Sequence, residues 1–242
     1  MLNKNLFAIT IFISSFLLFL VQPIIAKQIL PWFGGTSAVW TTCLTFFQVA
    51  LLLGYMYSDW IQRFSPKKQG IFHCIVICVS LIFLPIIANP DWKPINSEEP
   101  IIHILGLLFF TIGLPYFVLS TTGPLLQSWF ARENKFSEES KKTYRLFALS
   151  NLASIIGLLM YPFAIETWIT LSAQAITWSI FYFLFAVFAI LTALRVVRSN
   201  ALSQSSSTLI PEAIEEKLDR VVIGRQDKFL WIFLPFIATS LL

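Results

Sequence analysis

The chain has 242 residues, 57% hydrophobic and only 12% charged, with a formal net charge of +4. That charged share is far below the roughly 25% of a soluble domain, which excludes a soluble globular domain of any size. The positive charges sit in short segments beside apolar runs, where leaflet topology and anionic lipid account for them better than nucleic acid does.

Six runs free of Asp, Glu, Lys and Arg are predicted to be membrane-spanning helices: Leu6–Ala26, Ser37–Tyr57, Gly70–Ala88, Ile101–Leu119, Leu146–Ile165 and Leu171–Leu194. A bilayer core takes roughly 20 apolar residues as a helix, and each run is near that length. A helix satisfies every backbone group within its own segment, and the runs lack the alternation of barrel strands. The first run follows Lys4 like a signal peptide, but it is too long, and Ile24-Ile25-Ala26 is a poor cleavage site, so it is read as retained.

Polar residues within and beside the runs mark candidate sites. In helix one, Gln22 precedes Pro23, and in helix two Gln48 lies near the middle; both amides are expected to face the bundle interior, bonding between helices or lining a cavity. At the end of helix two, Asp59 is placed to pair with Arg63 at i+4. His73, Cys74 and Cys78 on helix three are read as packing residues, because a metal site needs a further ligand and a second shell. No metal or cofactor is expected. Three cysteines, none in a loop on the basic-poor side, argue against a disulfide framework.

The densest signal is Gly113–Phe130, GLPYFVLSTTGPLLQSWF. Pro115 and Pro124 each remove a helical donor, and Ser120, Thr121 and Thr122 can satisfy freed carbonyls. A kinked or interrupted fourth helix is expected, of the kind transporters use for binding. Ser150 and Asn151 open helix five near the same side, with Arg145 at the membrane edge, and the two clusters are expected to form a polar pocket or a helix–helix lock. Glu166 closes helix five at its other end. Trp32, Trp40, Trp92 and Trp168 on one side, and Trp60, Trp129 and Trp231 on the other, are read as interfacial anchors.

Beyond helix six, Ser203–Thr208 reads as a flexible linker. Pro211–Gly224 reads as a short amphipathic helix, with Pro and three acids at its start, Gly at its stop, and a stripe of Ile214, Leu218, Val221 and Val222. Phe229–Leu242 is apolar but too short to cross, and is expected to be the start of a seventh helix in a chain that continues, with a re-entrant or interfacial tail as the alternative. The expected organisation is thus a bundle over residues 1–196, a cytoplasmic linker over 197–228 and an incomplete helix over 229–242.

Orientation follows from the basic residues. Of seventeen Lys and Arg, all but Lys27 and Lys93 lie in alternate gaps: Lys4, Arg63–Lys68, Arg132–Arg145 and Arg195–Lys228. Basic loops resist translocation, so this side is expected to be cytoplasmic, with the N-terminus inside.

Five stretches carry a family resemblance: SAVWTT (Ser37–Thr42), GYMYSDWIQRFSPKKQ (Gly54–Gln69), LPYFVLSTTGPLLQSWFA (Leu114–Ala131), YRLFALSNLASIIGLLMYPFAIE (Tyr144–Glu166) and WIFLPFIATSLL (Trp231–Leu242). They resemble bacterial membrane proteins in which a major-facilitator-like bundle is fused to a spermidine-synthase-like domain. The loop after helix two is similar to the major-facilitator signature through Gly54, Asp59, Arg63, Lys67 and Lys68. Its Gly-to-Asp spacing is one residue long, and Trp60 stands where a basic residue is expected.

The resemblance implies an all-α, polytopic bundle with a major-facilitator-like first half, six transmembrane helices and the start of a seventh, in a bacterial inner membrane. It implies the membrane portion of a fusion protein, binding or moving a small solute, or anchoring a cytoplasmic aminopropyltransferase-like domain absent from these residues. A stand-alone secondary transporter and a non-transporting scaffold are the alternatives. The expected partners are the bilayer, a small-molecule solute and a C-terminal or partner enzyme domain, without nucleic acid. No catalytic motif occurs. The candidate cavity residues are Gln22, Gln48, Ser120, Thr121, Thr122, Ser150 and Asn151.

Overall fold

The computed structural model of the chain describes residues 2–93, 100–133 and 143–206, and every regular element among them is helical. Helix α1 spans Leu2–Phe33, α2 Ser37–Ile61 and α3 Pro66–Ser80, the last extended by a 3-10 turn at Leu81–Phe83. Helix α4 (Pro100–Leu108) passes through a π-helical segment, Phe109–Gly113, into α5 (Leu114–Glu133). Helix α6 (Thr143–Met160) passes through a second π segment, Tyr161–Ile165, into α7 (Glu166–Trp168), and α8 runs Leu171–Ser206. Joined in this way they give six helices long and apolar enough to cross a membrane: Asn5–Phe33, Ser37–Ile61, Pro66–Phe83, Pro100–Arg132, Tyr144–Trp168 and Leu171–Arg198. The chain divides into two compact units, Met1–Ala201 and Leu202–Leu242. The six long helices lie in the first; of the second, only residues 202–206 are described. The expected helix at 211–224 and the expected seventh helix at 229–242 lie outside the described residues.

Several helix ends differ from the hydropathy limits for local chemical reasons. Helix α1 continues past Ala26 to Phe33, so Lys27 is a helical residue rather than part of a loop. Helix α2 starts after Thr36, whose side chain accepts a hydrogen bond from the Val39 N–H, a standard N-cap. Helix α3 begins at Pro66, where a missing N–H costs nothing. The third span stops at Phe83 rather than Ala88, because Leu84 precedes Pro85 and is extended (φ −91°, ψ 147°). Helix α8 runs through Ser206, so the first residues of the expected Ser-rich linker are helical.

The fourth span also differs. Helix α5 passes unbroken through Pro124, and the altered hydrogen-bond register lies upstream at Phe109–Gly113, just before Pro115. Proline cannot supply the N–H that regular α-helix requires, and a π bulge absorbs the mismatch. The second π segment holds Pro162 in its first turn in the same way.

Helix α1 is the most buried of the six spans, with 56% of its most apolar window inside the bundle. It packs against α5 and α6, while α2 packs against α4 and α5. Glycine permits close crossings on α2 and α6. A Cβ at Gly54 on α2 would overlap the Ser120 hydroxyl of α5, and one at Gly157 on α6 would lie 2.9 Å from the Phe16 carbonyl oxygen of α1. Small residues let backbones approach where no hydrophobic force drives helices together.

Hydrogen bonds between helices reinforce this packing. Ser14 Oγ donates to the Leu119 carbonyl (3.0 Å), Ser58 Oγ to the Thr121 carbonyl (3.0 Å), and Trp178 Nε1 to the Leu17 carbonyl (3.0 Å). The hydroxyls of Ser80 and Tyr182 meet at 2.6 Å. In membranes such bonds average about 0.6 kcal/mol each. The remaining surface is studded with exposed Leu, Ile, Val and Phe, including Leu44, Leu52, Ile75, Phe109 and Phe163, an exterior compatible with lipid contact.

Candidate functional site

The bundle has two ends. The basic end carries the α2–α3 connection with Arg63, Lys67 and Lys68, and the opposite end carries the α1–α2 connection. At the basic end, α1, α2, α5 and α6 border a polar cleft made of two adjoining cavities of about 580 Å³ and 460 Å³. Tyr55, Gly123, Pro124, Ser150 and Asn151 line both. Ser15, Ser120 and Ser154 add hydroxyls to one, and Gln127 and Ser128 add polar groups to the other. Among the described residues no Asp, Glu, Lys or Arg lines it.

Prolines also interrupt the regular helical hydrogen bonding beside the cleft. Pro23, Pro124 and Pro162 sit on three different helical segments, and each lacks the N–H that the carbonyl four residues earlier would accept. Those carbonyls belong to Phe19, Ser120 and Leu158, and all three residues line the cleft.

The structure brings together part of the expected cluster. Ser120 and Ser150 share the cleft with Asn151, and Ser150 Oγ lies 2.7 Å from Ser15 Oγ of α1. Thr121 and Thr122 turn into the core, and both donate to the Val118 carbonyl, at 2.7 Å and 2.8 Å. Ser120 donates to the Phe117 carbonyl at 2.7 Å. Arg145 is exposed and is not among the lining residues.

Gln22 lies towards the opposite end, where its amide donates to the Tyr116 hydroxyl (3.2 Å), linking α1 to α5. Gln48 does not face the interior: it is exposed, and the neighbouring Phe47 takes the inward register of α2. The reason is helical phase, since Val39, Cys43, Phe47, Ala50 and Gly54 form the buried face.

At the α2–α3 loop, Asp59 and Arg63 approach to 3.8 Å with side chains 81% and 73% exposed, and Lys67 and Lys68 are exposed. Neutral side chains hold this loop. Buried Gln69 donates to the Phe64 carbonyl (2.6 Å) and accepts from Trp129 Nε1 (2.8 Å). Gln62 donates to the Ser58 carbonyl (2.9 Å) and accepts from Ser128 Oγ (2.6 Å). Trp129 is therefore a buried donor on α5 and not an interfacial anchor. Of the other expected anchors, Trp32 lies beneath the Lys93 ammonium at 5.0 Å, and Trp92 stacks on Phe110.

A second pocket, of about 420 Å³, opens at the opposite end among α1, α2 and the second π segment. Its rim carries an ion pair between residues far apart in the chain, Lys27 Nζ to Glu166 Oε1 at 2.7 Å. The available signal was a lone base and a lone acid at the same predicted membrane depth. Among the described residues no group of three or more His, Cys, Asp or Glu gathers as a metal site. Compared with family models, curated proteins and solved structures, the chain matches none.

Proposed function

We propose that this chain is a multi-pass membrane protein that binds and moves a small polar solute without net charge, using the cleft between α1, α2, α5 and α6. The observation that carries the reading is a group of hydroxyls and amides lining one cavity in an otherwise apolar bundle. Polar groups in hydrocarbon are costly and mark solute paths when they face a cavity. The absence of charged lining residues among those described favours a solute without net charge, which needs no counter-ion in the cleft. The basic-residue distribution supports placing this end on the cytoplasmic side, with the N-terminus inside.

A second reading rests on the fusion-family resemblance. The α2–α3 block and the α5 block of that resemblance meet at the Gln62–Ser128 and Gln69–Trp129 bonds. A rigid cytoplasmic end of this kind suits an anchor for an enzyme domain in a bacterial inner membrane. Counterflow in proteoliposomes separates the two. The carrier reading expects at least one labelled sugar, polyol or amino acid to exchange, and expects Asn151→Trp, which fills the cleft, to cut the exchange at least tenfold. A folded protein that exchanges none of them supports the anchor.

A further inference from the structure

We infer that the pocket at the opposite end binds a small zwitterion of α-amino-acid type, with its carboxylate on Lys27 and its ammonium on Glu166. The inference extends the carrier reading but does not depend on movement, because it concerns binding at a different place from the cleft. A volume of about 420 Å³ is within the range of small-molecule sites. Leu30, Trp40 and Phe47 give it an apolar wall, and Gln22, Lys27, Tyr161 and Glu166 supply its polar groups.

Three features point to a ligand carrying both charges. First, Lys27 and Glu166 are in contact at 2.7 Å, yet their side chains are 41% and 42% exposed, so the pair can part without breaking a sealed core. Second, a ligand with a single charge can pair with only one of the two side chains and must displace the other, so it gains no ion pair over the resting contact. A zwitterion replaces one ion pair with two and leaves no charge unmatched. Third, Tyr161 is only 7% exposed, and its hydroxyl is buried with no hydrogen-bond partner among the described residues. Native structures rarely leave such a group unmade. Tyr161 lines this pocket, and a ligand seated against it would give the hydroxyl a partner, as donor to a carboxylate or acceptor from an ammonium. The apolar wall would receive the ligand's side chain.

The test is calorimetric binding to the purified full chain in nanodiscs, with L-leucine, L-phenylalanine and L-serine as probes. Leucinamide and 4-methylpentanoate serve as analogues of leucine with one charge only. At least one amino acid is expected to bind saturably, with leucine favoured by the apolar wall and its two analogues at least tenfold weaker. Lys27→Ala and Glu166→Ala should each weaken binding tenfold or more. Tyr161→Phe should weaken it several-fold while leaving the melting temperature unchanged or higher, because a purely structural hydroxyl without a partner loses nothing on removal. The exchange variant, Lys27→Glu with Glu166→Lys, should restore the melting temperature if either single variant lowers it. The inference is overturned if none of the three amino acids binds, if the analogues bind as well as leucine, or if Tyr161→Phe binds unchanged. Binding without counterflow would leave this inference standing and overturn only the carrier reading.

Discussion

At the residue scale, buried neutral groups and exposed charges near the α2–α3 loop divide the work unevenly. Trp129→Phe would leave Gln69 Oε1 buried without its donor, at a cost of about 1–3 kcal/mol. Arg63→Ala removes only an exposed pair at 3.8 Å and should cost less than about 1 kcal/mol. Fluorescence-detected thermal unfolding in detergent should show a clear drop for the first and almost none for the second. The Asp59–Arg63 pair was legible because i, i+4 spacing is local. The inward turn of Trp129 and the Lys27–Glu166 contact were not, because each depends on a partner far along the chain. Gln48 was misplaced for a related reason: in a helix apolar on nearly every side, hydropathy does not say which face meets the bundle.

At the element scale, apolar length made all six helices legible, whereas their ends were set by caps and prolines that hydropathy averages away. Pro85 shortened the third span, and the Lys27–Glu166 contact ties the extended end of α1 to α7. On the fourth span Pro115 and Pro124 both point to a kink; the altered register falls at the π segment before Pro115, and α5 continues through Pro124. The crossings lead to a three-way prediction. Gly54→Val forces α2 off Ser120, and Gly157→Val forces α6 off the Phe16 carbonyl; each should cost about 1–3 kcal/mol or more as overpacking. Gly123→Ala meets nothing within 4 Å of the added Cβ and should be tolerated. The yield of monodisperse protein by size-exclusion chromatography checks all three. Equal yields for Gly54→Val and Gly123→Ala would contradict the close α2–α5 crossing.

At the scale of the whole molecule, a central apolar α1 connects two polar regions at opposite ends. Ser15, Leu18 and Phe19 border the cleft, and Gln22, Pro23, Ala26, Lys27 and Leu30 border the second pocket. The cleft at the basic end was partly anticipated, since Ser120, Ser150 and Asn151 were singled out together. Its α1 and α2 walls were not, because Ser15 and Tyr55 are unremarkable within their own runs. If α1 joins the two regions into one path, Phe19→Ala should raise counterflow of any exchanged solute several-fold, and Phe19→Trp should reduce it. A carrier of the proposed kind needs the four-helix cleft to be reached by water from the cytoplasmic face. The most direct measurement is labelling of Asn151→Cys by a membrane-impermeant thiol reagent, in a chain whose three native cysteines are replaced by serine. Rapid labelling is expected in inside-out vesicles and little in right-side-out ones. Labelling only from the outer face, or from neither, would contradict the carrier reading.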